Sequence, residues 1–212
     1  MKSRDILIFF IIFRLIDFLI IYSSQFFIPY LGFFPYKEII IQYRLPQIFS
    51  SLANFDGAHY LLIAKEGYSQ YQQAFFPLYP LLIRFLAPLF FNNHLLAGLI
   101  ISNVAFLLGL FVLEKYLALL KFNSRRIVWA LLFLLAFPSS FFFGAVYTEG
   151  LFFFLFVSSL YFLKRERYFF ASIVAFFASL TRLIGVFLLI PFVTHMLSKK
   201  NRKLNFFLLS PL

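Results

Sequence analysis

Residues 95–120, LLAGLIISNVAFLLGLFVLEKYLALL, decide the fold class, because Glu114 and Lys115 are the only charges among them. A helix of about 20 apolar residues crosses the roughly 30 Å hydrocarbon core of a bilayer. Lipid offers the backbone no hydrogen-bond partners, so such a stretch spans as a helix or as part of a closed β-barrel. The alternation of polar and apolar residues that barrel strands need is absent. We therefore predict a transmembrane helix here.

Further apolar runs lie on both sides of this stretch. They cover residues 6–28, 127–146, 151–163, 168–180 and 183–197, and residues 206–212 begin another. Some are short, but flanking Tyr, Lys and Arg side chains let short runs reach the interface. The chain is 63% hydrophobic and 13% charged, a composition that excludes a water-soluble domain of this length. The fold class we predict is all-α, a polytopic transmembrane helix bundle.

The first run has a basic start but is too long for a signal-peptide core and lacks a small-residue cleavage site, so we expect an uncleaved first span. Residues 1–212 form one transmembrane domain in this interpretation. Because the chain ends inside a new apolar run, we expect it to be the N-terminal part of a longer domain.

The net charge of +11 is concentrated in short clusters between apolar runs, at every second connection. The clusters are Lys2 and Arg4; Lys115, Lys121, Arg125 and Arg126; Lys164, Arg165 and Arg167; and Lys199, Lys200, Arg202 and Lys203. This distribution is typical of cytoplasmic loops, and it explains the charge better than nucleic-acid binding does. It predicts that residues 29–94, 147–150 and 181–182 lie on the other side of the membrane.

This topology requires residues 78–91, which contain Pro80, Arg84 and Pro88, to lie along the interface or to re-enter the membrane. If they cross it, the later connections invert and two basic clusters move outside, against the charge bias.

The first extracytoplasmic loop, residues 29–94, contains a short juxtamembrane helix by its apolar periodicity. Asn54 is its expected N-cap and Gly67 its expected stop. Asp56 and His59 are three positions apart and share a helix face, while Leu52, Leu61 and Leu62 can lie against lipid. His59 taken alone is more often a surface histidine than a catalyst.

Glu149 and Arg182 are isolated polar residues between apolar runs. A carboxylate there is costly unless it faces water, a cation or a substrate, and a helix-end position in headgroup water explains Glu149 equally well. Arg182 taken alone reads as an arginine that extends from a helix end to the interface. Both are predicted to lie on the same side of the membrane as Asp56, which favours a functional role for both.

Arg14 and Asp17, three apart inside the first span, are expected to neutralise one another, and a polar pathway is the alternative. Pro138 is expected to kink its helix, with Ser139 and Ser140 able to satisfy the freed carbonyls. The chain has no Cys and its three His lack zinc-ligand spacing. We predict no cofactor, and a divalent cation stays open.

Several motifs carry a resemblance to a known family. They are FDxxHYxxIAxxGY at residues 55–68, FFPLYP at 75–80, PSxFF at 138–142, YTE at 147–149 and TRxxG at 181–185. In this order they resemble segments of the PIG-V mannosyltransferases, which add the second mannose of GPI anchors. The resemblance implies a GT-C glycosyltransferase that transfers a hexose, typically mannose, from a polyprenyl-phosphate donor to a lipid or glycan acceptor, with inversion, on the non-cytoplasmic face.

The resemblance gives the polar residues their expected roles. Asp56 becomes the catalytic base and Arg182 the partner of the donor phosphate, while Glu149 and His59 orient hydroxyl groups. Tyr60, Tyr79 and Tyr147 stand within the matching motifs and complete the expected substrate-binding set. The bias toward Phe, Ile and Lys is compatible with an AT-rich prokaryote and its plasma membrane; in a eukaryote the membrane would be the endoplasmic reticulum.

A non-catalytic membrane protein is the alternative function. A polyisoprenoid or lipid transporter, or an assembly subunit, could use the same polar residues as a pathway. Transport predicts polar residues that continue to the cytoplasmic side, whereas an interfacial enzyme predicts them on one side. Apart from Arg14 and Asp17, the polar residues are predicted on one side of the membrane, which favours the enzyme.

Overall fold

The chain is all-helical in a computed structural model, which describes residues 3–28 and 36–198 and has no strand among them. The α-helices are α1 (Ser3–Phe27), α2 (Lys37–Ile41), α3 (Gln47–Ser50), α4 (Asp56–Glu66), α5 (Leu78–Leu86), α6 (His94–Leu119), α7 (Ser124–Ala136), α8 (Glu149–Lys164), α9 (Tyr168–Ser179) and α10 (Leu189–Ser198). Short 3-10 segments cover Ser51–Ala53, Ala87–Phe90, Ser140–Gly144 and Leu183–Leu188. Three sets of residues lie outside the described residues: the predicted run at 206–212, residues 29–35 of the loop, and the basic residues Lys2, Lys199, Lys200, Arg202 and Lys203.

Helices α1 and α6 are the two in the described part of the chain that are long and apolar enough to cross a bilayer, at 25 and 26 residues. Only 22% of the most apolar window of α1 is buried inside the protein. Leu15 and Leu19 on this helix are 62% and 67% exposed. A soluble monomer rarely leaves such an apolar face in water, so this face is suited to lipid.

The centre of the bundle is α8, which packs along α6 on one side and α9 on the other. Small side chains line the contacts and let the helix backbones approach closely. On α6 they include Ser102 and Gly109, which contact α8, and the buried small residues of α9 include Ala171, Ala175 and Ala178. The α6–α8 contact begins near Ser102 and Gly150 and continues to Gly109 and Phe153, so these two helices run in the same direction.

A second apolar cluster joins α1 and α7 to α6. Phe106 of α6 is fully buried, stacks on Phe143 with ring centroids 4.4 Å apart, and meets Phe13 edge-on at 5.8 Å. The Arg14 guanidinium donates to the Asp17 carboxylate at 2.8 Å beside this cluster, and both side chains are buried. The predicted pairing of these two charges is confirmed.

The expected kink at Pro138 is wrong, because α7 ends there. Phe137 has ψ 135°, the extended conformation that a following proline imposes on its neighbour. The Ser140 hydroxyl donates to the Leu134 carbonyl, which the broken helix would otherwise leave without a partner. The predicted use of a hydroxyl at this point is therefore confirmed.

The predicted short helix exists as α4, but it begins at Asp56 and Asn54 does not cap it. Its end is as predicted, because Gly67 follows it with φ 95°, which glycine adopts without strain. The expected lipid contact of Leu52 and Leu61 is wrong, since both are buried against neighbouring helices. Helix α5 and the 3-10 turn after it cover Leu78–Phe90, which is shorter than the about 20 residues of a full span.

Candidate active site

The ends of three helices meet on one side of the bundle and bring the polar residues together. Asp56 begins α4, Glu149 begins α8, and Arg182 follows the end of α9. The start of α5 is held here as well, because the Leu78 amide donates to the Leu180 carbonyl at 3.0 Å. Residues more than 120 positions apart in the sequence therefore share one site.

A strained turn precedes Asp56. Phe55 has φ 58°, which is rare for a bulky residue and persists only where the surroundings fix it. The Tyr147 hydroxyl donates to the Asn54 carbonyl at 2.9 Å and is hydrogen-bonded by the Asp56 backbone. The turn thus holds the Asp56 carboxylate at the surface of the protein, where its side chain is exposed.

Glu149 and Arg182 form an ion pair across α8 and α9. Their side chains are 27% and 39% exposed, so the pair lies at the boundary between protein and solvent. Among the described residues, Glu149 Oε2 has no hydrogen-bond partner although this atom is buried. One carboxylate oxygen therefore holds Arg182, and the other is available to a hydroxyl group.

Close backbone packing fixes the start of α8. A Cβ atom on Gly150 would lie 2.6 Å from the backbone oxygens of both Phe143 and Ser102. Only glycine fits between these two carbonyls. Glu149 is therefore held next to α6 by its neighbour in sequence.

The buried phenol of Tyr60 lies at the centre of the charged groups. It is hydrogen-bonded to the Thr148 side chain. Its pKa is raised to about 12, mainly by burial; the charges of Glu149 and Asp56 contribute to the rise, and the Thr148 hydrogen bond and the Arg182 charge oppose it. Tyr60 is consequently neutral at physiological pH and can donate a hydrogen bond, but it cannot serve as a base.

Tyr79 supports the Tyr60 ring from the interior of the protein. Its side chain is fully buried, and its hydroxyl bonds Ser102 Oγ at 2.7 Å and the Gly98 carbonyl at 3.0 Å. Ser102 in turn donates to the Tyr147 carbonyl at 3.1 Å. The Tyr79 ring meets Tyr60 edge-on at 5.2 Å. A chain of contacts therefore connects α5 and α6 to the site.

His59 lies beside the site in an aromatic setting. Its ring stacks on Phe75 at 4.9 Å and meets Tyr36 edge-on at 4.7 Å. The buried Nδ1 atom has no hydrogen-bond partner within the described part of the chain. Residues 3–28 and 36–198 hold no group of three His, Asp or Glu side chains arranged as metal ligands.

The sequence profile of the mannosyltransferase (PIG-V) family matches residues 3–207. The chain belongs to this family. No curated protein and no solved structure matches it significantly. Membership and the two long apolar helices together make this PIG-V family chain a membrane protein and a glycosyltransferase.

Some residues of this PIG-V site were not singled out from the sequence. Thr148 is 2% exposed and bonds Tyr60, and Ser102 is fully buried and bonds both Tyr79 and Tyr147. Thr148 stands within the YTE motif, so its position was a usable signal. Ser102 is a hydroxyl inside an apolar run, which indicates a polar partner but does not identify it.

Proposed function

We propose that this protein is an inverting GT-C mannosyltransferase that uses a polyprenyl-phosphate mannose donor and a lipid or glycan acceptor on the non-cytoplasmic face of the membrane. The convergence of Asp56, Glu149 and Arg182 around Tyr60, in a chain of the PIG-V family, supports this most directly. Such a donor keeps its prenyl chain in lipid and its phosphate at the interface. The reacting groups must therefore lie at the end of a bundle, as these do.

Asp56 acts as the general base. The acceptor hydroxyl oxygen attacks C1 of the mannosyl group while the bond from C1 to the phosphate oxygen breaks. Asp56 takes the proton that the acceptor hydroxyl loses, and the polyprenyl phosphate leaves with the bonding electrons. One displacement inverts the anomeric centre without a covalent enzyme intermediate. The exposure of the Asp56 carboxylate supports this role.

Arg182 stabilises the charge of the departing phosphate. A guanidinium binds phosphate oxygens through paired, charge-assisted hydrogen bonds. Glu149 holds Arg182 before the donor arrives, so the guanidinium needs little reorganisation when the phosphate binds. The buried Oε2 of Glu149 accepts a hydroxyl of the sugar or acceptor.

The aromatic residues position the substrates. Tyr60 donates a hydrogen bond from a phenol that stays neutral, and His59 offers its unsatisfied Nδ1 to a sugar hydroxyl. Tyr147 fixes the turn that carries Asp56, and Tyr79 supports the Tyr60 ring. These positions support a substrate-binding role for His59 and Tyr60, and a supporting role for the other two.

Substitution of Asp56 by Asn tests the proposal. Removal of a general base lowers the rate by about 10²- to 10⁴-fold, so we expect Asp56→Asn to lose sugar transfer. The assay measures mannose transfer from radiolabelled polyprenyl-phosphate mannose, by membranes that carry the full chain, to a pool of lipid and glycan acceptors. Glu66→Gln, which removes an exposed carboxylate at the other end of α4, is the matched control and should keep activity.

Two results would contradict the assignment. Transfer by Asp56→Asn at the wild-type rate would show that another group is the base. Transfer that is absent in the wild type as well as in the variant would favour the transporter or assembly-subunit function.

A further inference from the structure

The buried ion pair of helix α1 has no part in the proposed reaction. Arg14 Nη1 donates to Asp17 Oδ2 at 2.8 Å, and the two residues are 6% and 8% exposed. The guanidinium carbon also lies 4.9 Å from the centre of the Phe18 ring. The Nη2 atom of Arg14 is buried and has no hydrogen-bond partner within residues 3–28 and 36–198. Burial of two charges in so apolar a helix is costly, which favours a use other than stability.

The Arg14 guanidinium packs against Gly144. The three heavy atoms nearest to a Cβ atom added at Gly144 are Cζ, Nη1 and Nη2 of Arg14, all within 2.9 Å. A real Cβ atom does not approach other atoms so closely, so the guanidinium fits here only because residue 144 is glycine. Arg14 therefore contacts the backbone of the segment that leads to the candidate site.

Residues 145–148, between Gly144 and α8, have no helix of their own and are held by contacts with other elements. The Gly144 carbonyl accepts a hydrogen bond from Asn103 Nδ2 at 3.0 Å, and the Val146 amide donates to the Leu52 carbonyl at 2.9 Å. Irregular backbone that depends on a few such contacts opens more readily than a helix does. The contact with Arg14 is one more of these supports.

The segment carries Tyr147, whose hydroxyl holds the turn before Asp56. Tyr147 is three residues after Gly144, and it donates to the Asn54 carbonyl at 2.9 Å. A displacement at Gly144 therefore reaches this phenol along a short stretch of backbone. Glu149 is less sensitive to such a displacement, because Gly150 fixes the start of α8 independently.

We propose that Arg14, oriented by Asp17, is a positioning residue that fixes Gly144 and, through Tyr147, the turn that carries Asp56. The inference rests on the proposed function for its effect on catalysis, but not for its effect on the segment. A guanidinium is planar, and its bond to the carboxylate sets the direction of that plane. Apolar side chains of similar size would fill the space without holding a flat group against Gly144.

Replacement of both charges tests this, because removal of one alone would leave the other buried and unpaired. The variant is Arg14→Met/Asp17→Leu. Asp17 borders a cavity of about 630 Å³ between α1 and the α7 region, so leucine has room. Apolar replacement of a buried ion pair is often neutral or stabilising, so we expect the thermal midpoint of the full chain in detergent to stay the same or rise.

Amide hydrogen exchange measures the segment without any substrate. In the same variant we expect exchange at residues 145–148 to become about tenfold faster, as the weakening of one hydrogen-bonded contact allows, while exchange within α6 stays unchanged. Leu15→Met/Leu19→Met alters the exposed face of the same helix and is the matched control. It should leave both the midpoint and the exchange unchanged.

Sugar transfer measures the effect on catalysis. We expect Arg14→Met/Asp17→Leu to lower kcat by roughly tenfold to a hundredfold, because the base moves with its turn, and to leave the KM for the donor unchanged. A merely structural pair would not lower kcat at unchanged stability.

Gly144→Ala is a second, independent variant. Its Cβ collides with the Arg14 guanidinium, so it should also lower kcat. With Arg14→Met/Asp17→Leu it meets a flexible methionine instead, and the combined variant should lose no more activity than either variant alone. Losses that multiply would show that residues 14 and 144 act separately, and would overturn the inference.

The remaining outcomes separate this inference from the proposed function. Unchanged exchange at residues 145–148, or a wild-type kcat in Arg14→Met/Asp17→Leu, overturns the positioning role and leaves the mannosyltransferase standing. A lower midpoint with faster exchange throughout the protein would make the pair a structural one and overturn the inference as well. Absence of transfer by the wild type contradicts the proposed function, whereas faster exchange confined to residues 145–148 still supports the positioning of this segment by Arg14.

Discussion

The phenol of Tyr147 connects the start of α8 to the turn before α4. It donates to the Asn54 carbonyl at 2.9 Å and is hydrogen-bonded by the Asp56 backbone. Phe55, between these two residues, holds a positive φ that costs about 1–3 kcal/mol for a non-glycine residue. The strain is tolerable because hydrogen bonds to the Tyr147 hydroxyl hold the residues on either side of Phe55.

Removal of this hydroxyl should lower both kcat and stability. We expect Tyr147→Phe to lower kcat by roughly tenfold to a hundredfold, because a base that moves by about 1 Å loses that much. The free energy of unfolding should fall by about 1–3 kcal/mol, because the hydroxyl makes two hydrogen bonds that each contribute about 0.5–1.5 kcal/mol. Steady-state kinetics and thermal unfolding in detergent measure the two effects.

Tyr71→Phe is the matched control, since Tyr71 is 85% exposed. It should change neither quantity. A wild-type kcat in Tyr147→Phe would mean that the Asp56 turn is held without this phenol.

Individual residue types predicted part of the site. A carboxylate, an arginine and a histidine between apolar runs are costly there, which is why Asp56, Glu149, Arg182 and His59 stood out in the sequence. The pairing of Glu149 with Arg182 was not predictable, because 32 residues separate them and local spacing gives no register between α8 and α9. The hydrogen bond between Thr148 and Tyr60 was not predictable for the same reason.

The contact between α6 and α8 depends on two glycines, Gly150 of α8 and Gly109 of α6. At Gly150 an added Cβ would lie 2.6 Å from two backbone oxygens, which cannot move aside. At Gly109 it would lie 2.6 Å from Cδ1 of the Phe153 ring and 3.3 Å from the Phe154 backbone, so most of the crowding is with a side chain. A ring can rotate, and a helix backbone must shift as a whole.

Gly150→Ala should therefore be the more damaging substitution. We expect it to destabilise the protein by about 1–3 kcal/mol, as overpacking commonly does, and to reduce transfer because Glu149 moves with the helix start. Gly109→Ala is the comparison and should cost less stability and leave the donor KM unchanged. Thermal unfolding and donor KM of both variants test this, and equal losses in the two would contradict it.

Helix positions followed from composition, whereas helix ends did not. The apolar runs at 151–163 and 168–180 correspond to α8 and α9. The run at 127–146 is broken after Ala136, because the residue before Pro138 adopts an extended conformation. Asn54 is a common N-cap type, but it does not cap α4, since the strained Phe55 turn lets the helix begin at Asp56.

The whole molecule should lose stability at alkaline pH. Burial raises the pKa of Tyr43, Tyr60 and Tyr147 to about 12, and it also raises the pKa of Tyr79. A phenol that binds its proton more tightly in the folded chain than at the ordinary pKa of 10 stabilises the fold fully below pH 10. This contribution is lost as pH rises from 10 toward 12, because the unfolded chain ionises first.

Thermal unfolding between pH 9 and 12 measures this effect. We expect the midpoint to fall steadily above pH 10, and less steeply in Tyr60→Phe, which has no phenol to ionise at that position. Tyr71→Phe should keep the wild-type slope because Tyr71 is exposed. If the unfolding midpoint of Tyr60→Phe fell with pH as steeply as that of the wild type, ionisation of Tyr60 would not contribute to the loss of stability.

The absence of cysteine permits a direct test of membrane orientation. Gln70→Cys lies in the loop that we predict to be extracytoplasmic, and Ser124→Cys lies at the basic start of α7. We expect a membrane-impermeant maleimide to label position 70 in intact cells and position 124 only after permeabilisation, as the positive-inside rule requires. The cysteine-free chain should stay unlabelled.

Labelling of both positions from outside would show that residues 78–91 cross the membrane. The short Leu78–Phe90 segment favours the other outcome.

The sequence by itself determined the solvent and the class of fold. Long apolar runs without polar alternation can satisfy their backbone in lipid only as helices, and this constraint needs no knowledge of tertiary contacts. It also determined the chemical types at the candidate site, since carboxylate, guanidinium and imidazole groups stand out against an apolar background. The order of the motifs was sufficient to indicate the PIG-V family.

Tertiary structure alone decided which polar groups meet. The ion pair of Glu149 with Arg182 and the hydrogen bond from Tyr147 to the Asn54 carbonyl both join segments that are distant in sequence. Such contacts depend on how closely small residues let α6, α8 and α9 approach. Helix periodicity fixes the face of each helix, but only packing fixes the partner it faces.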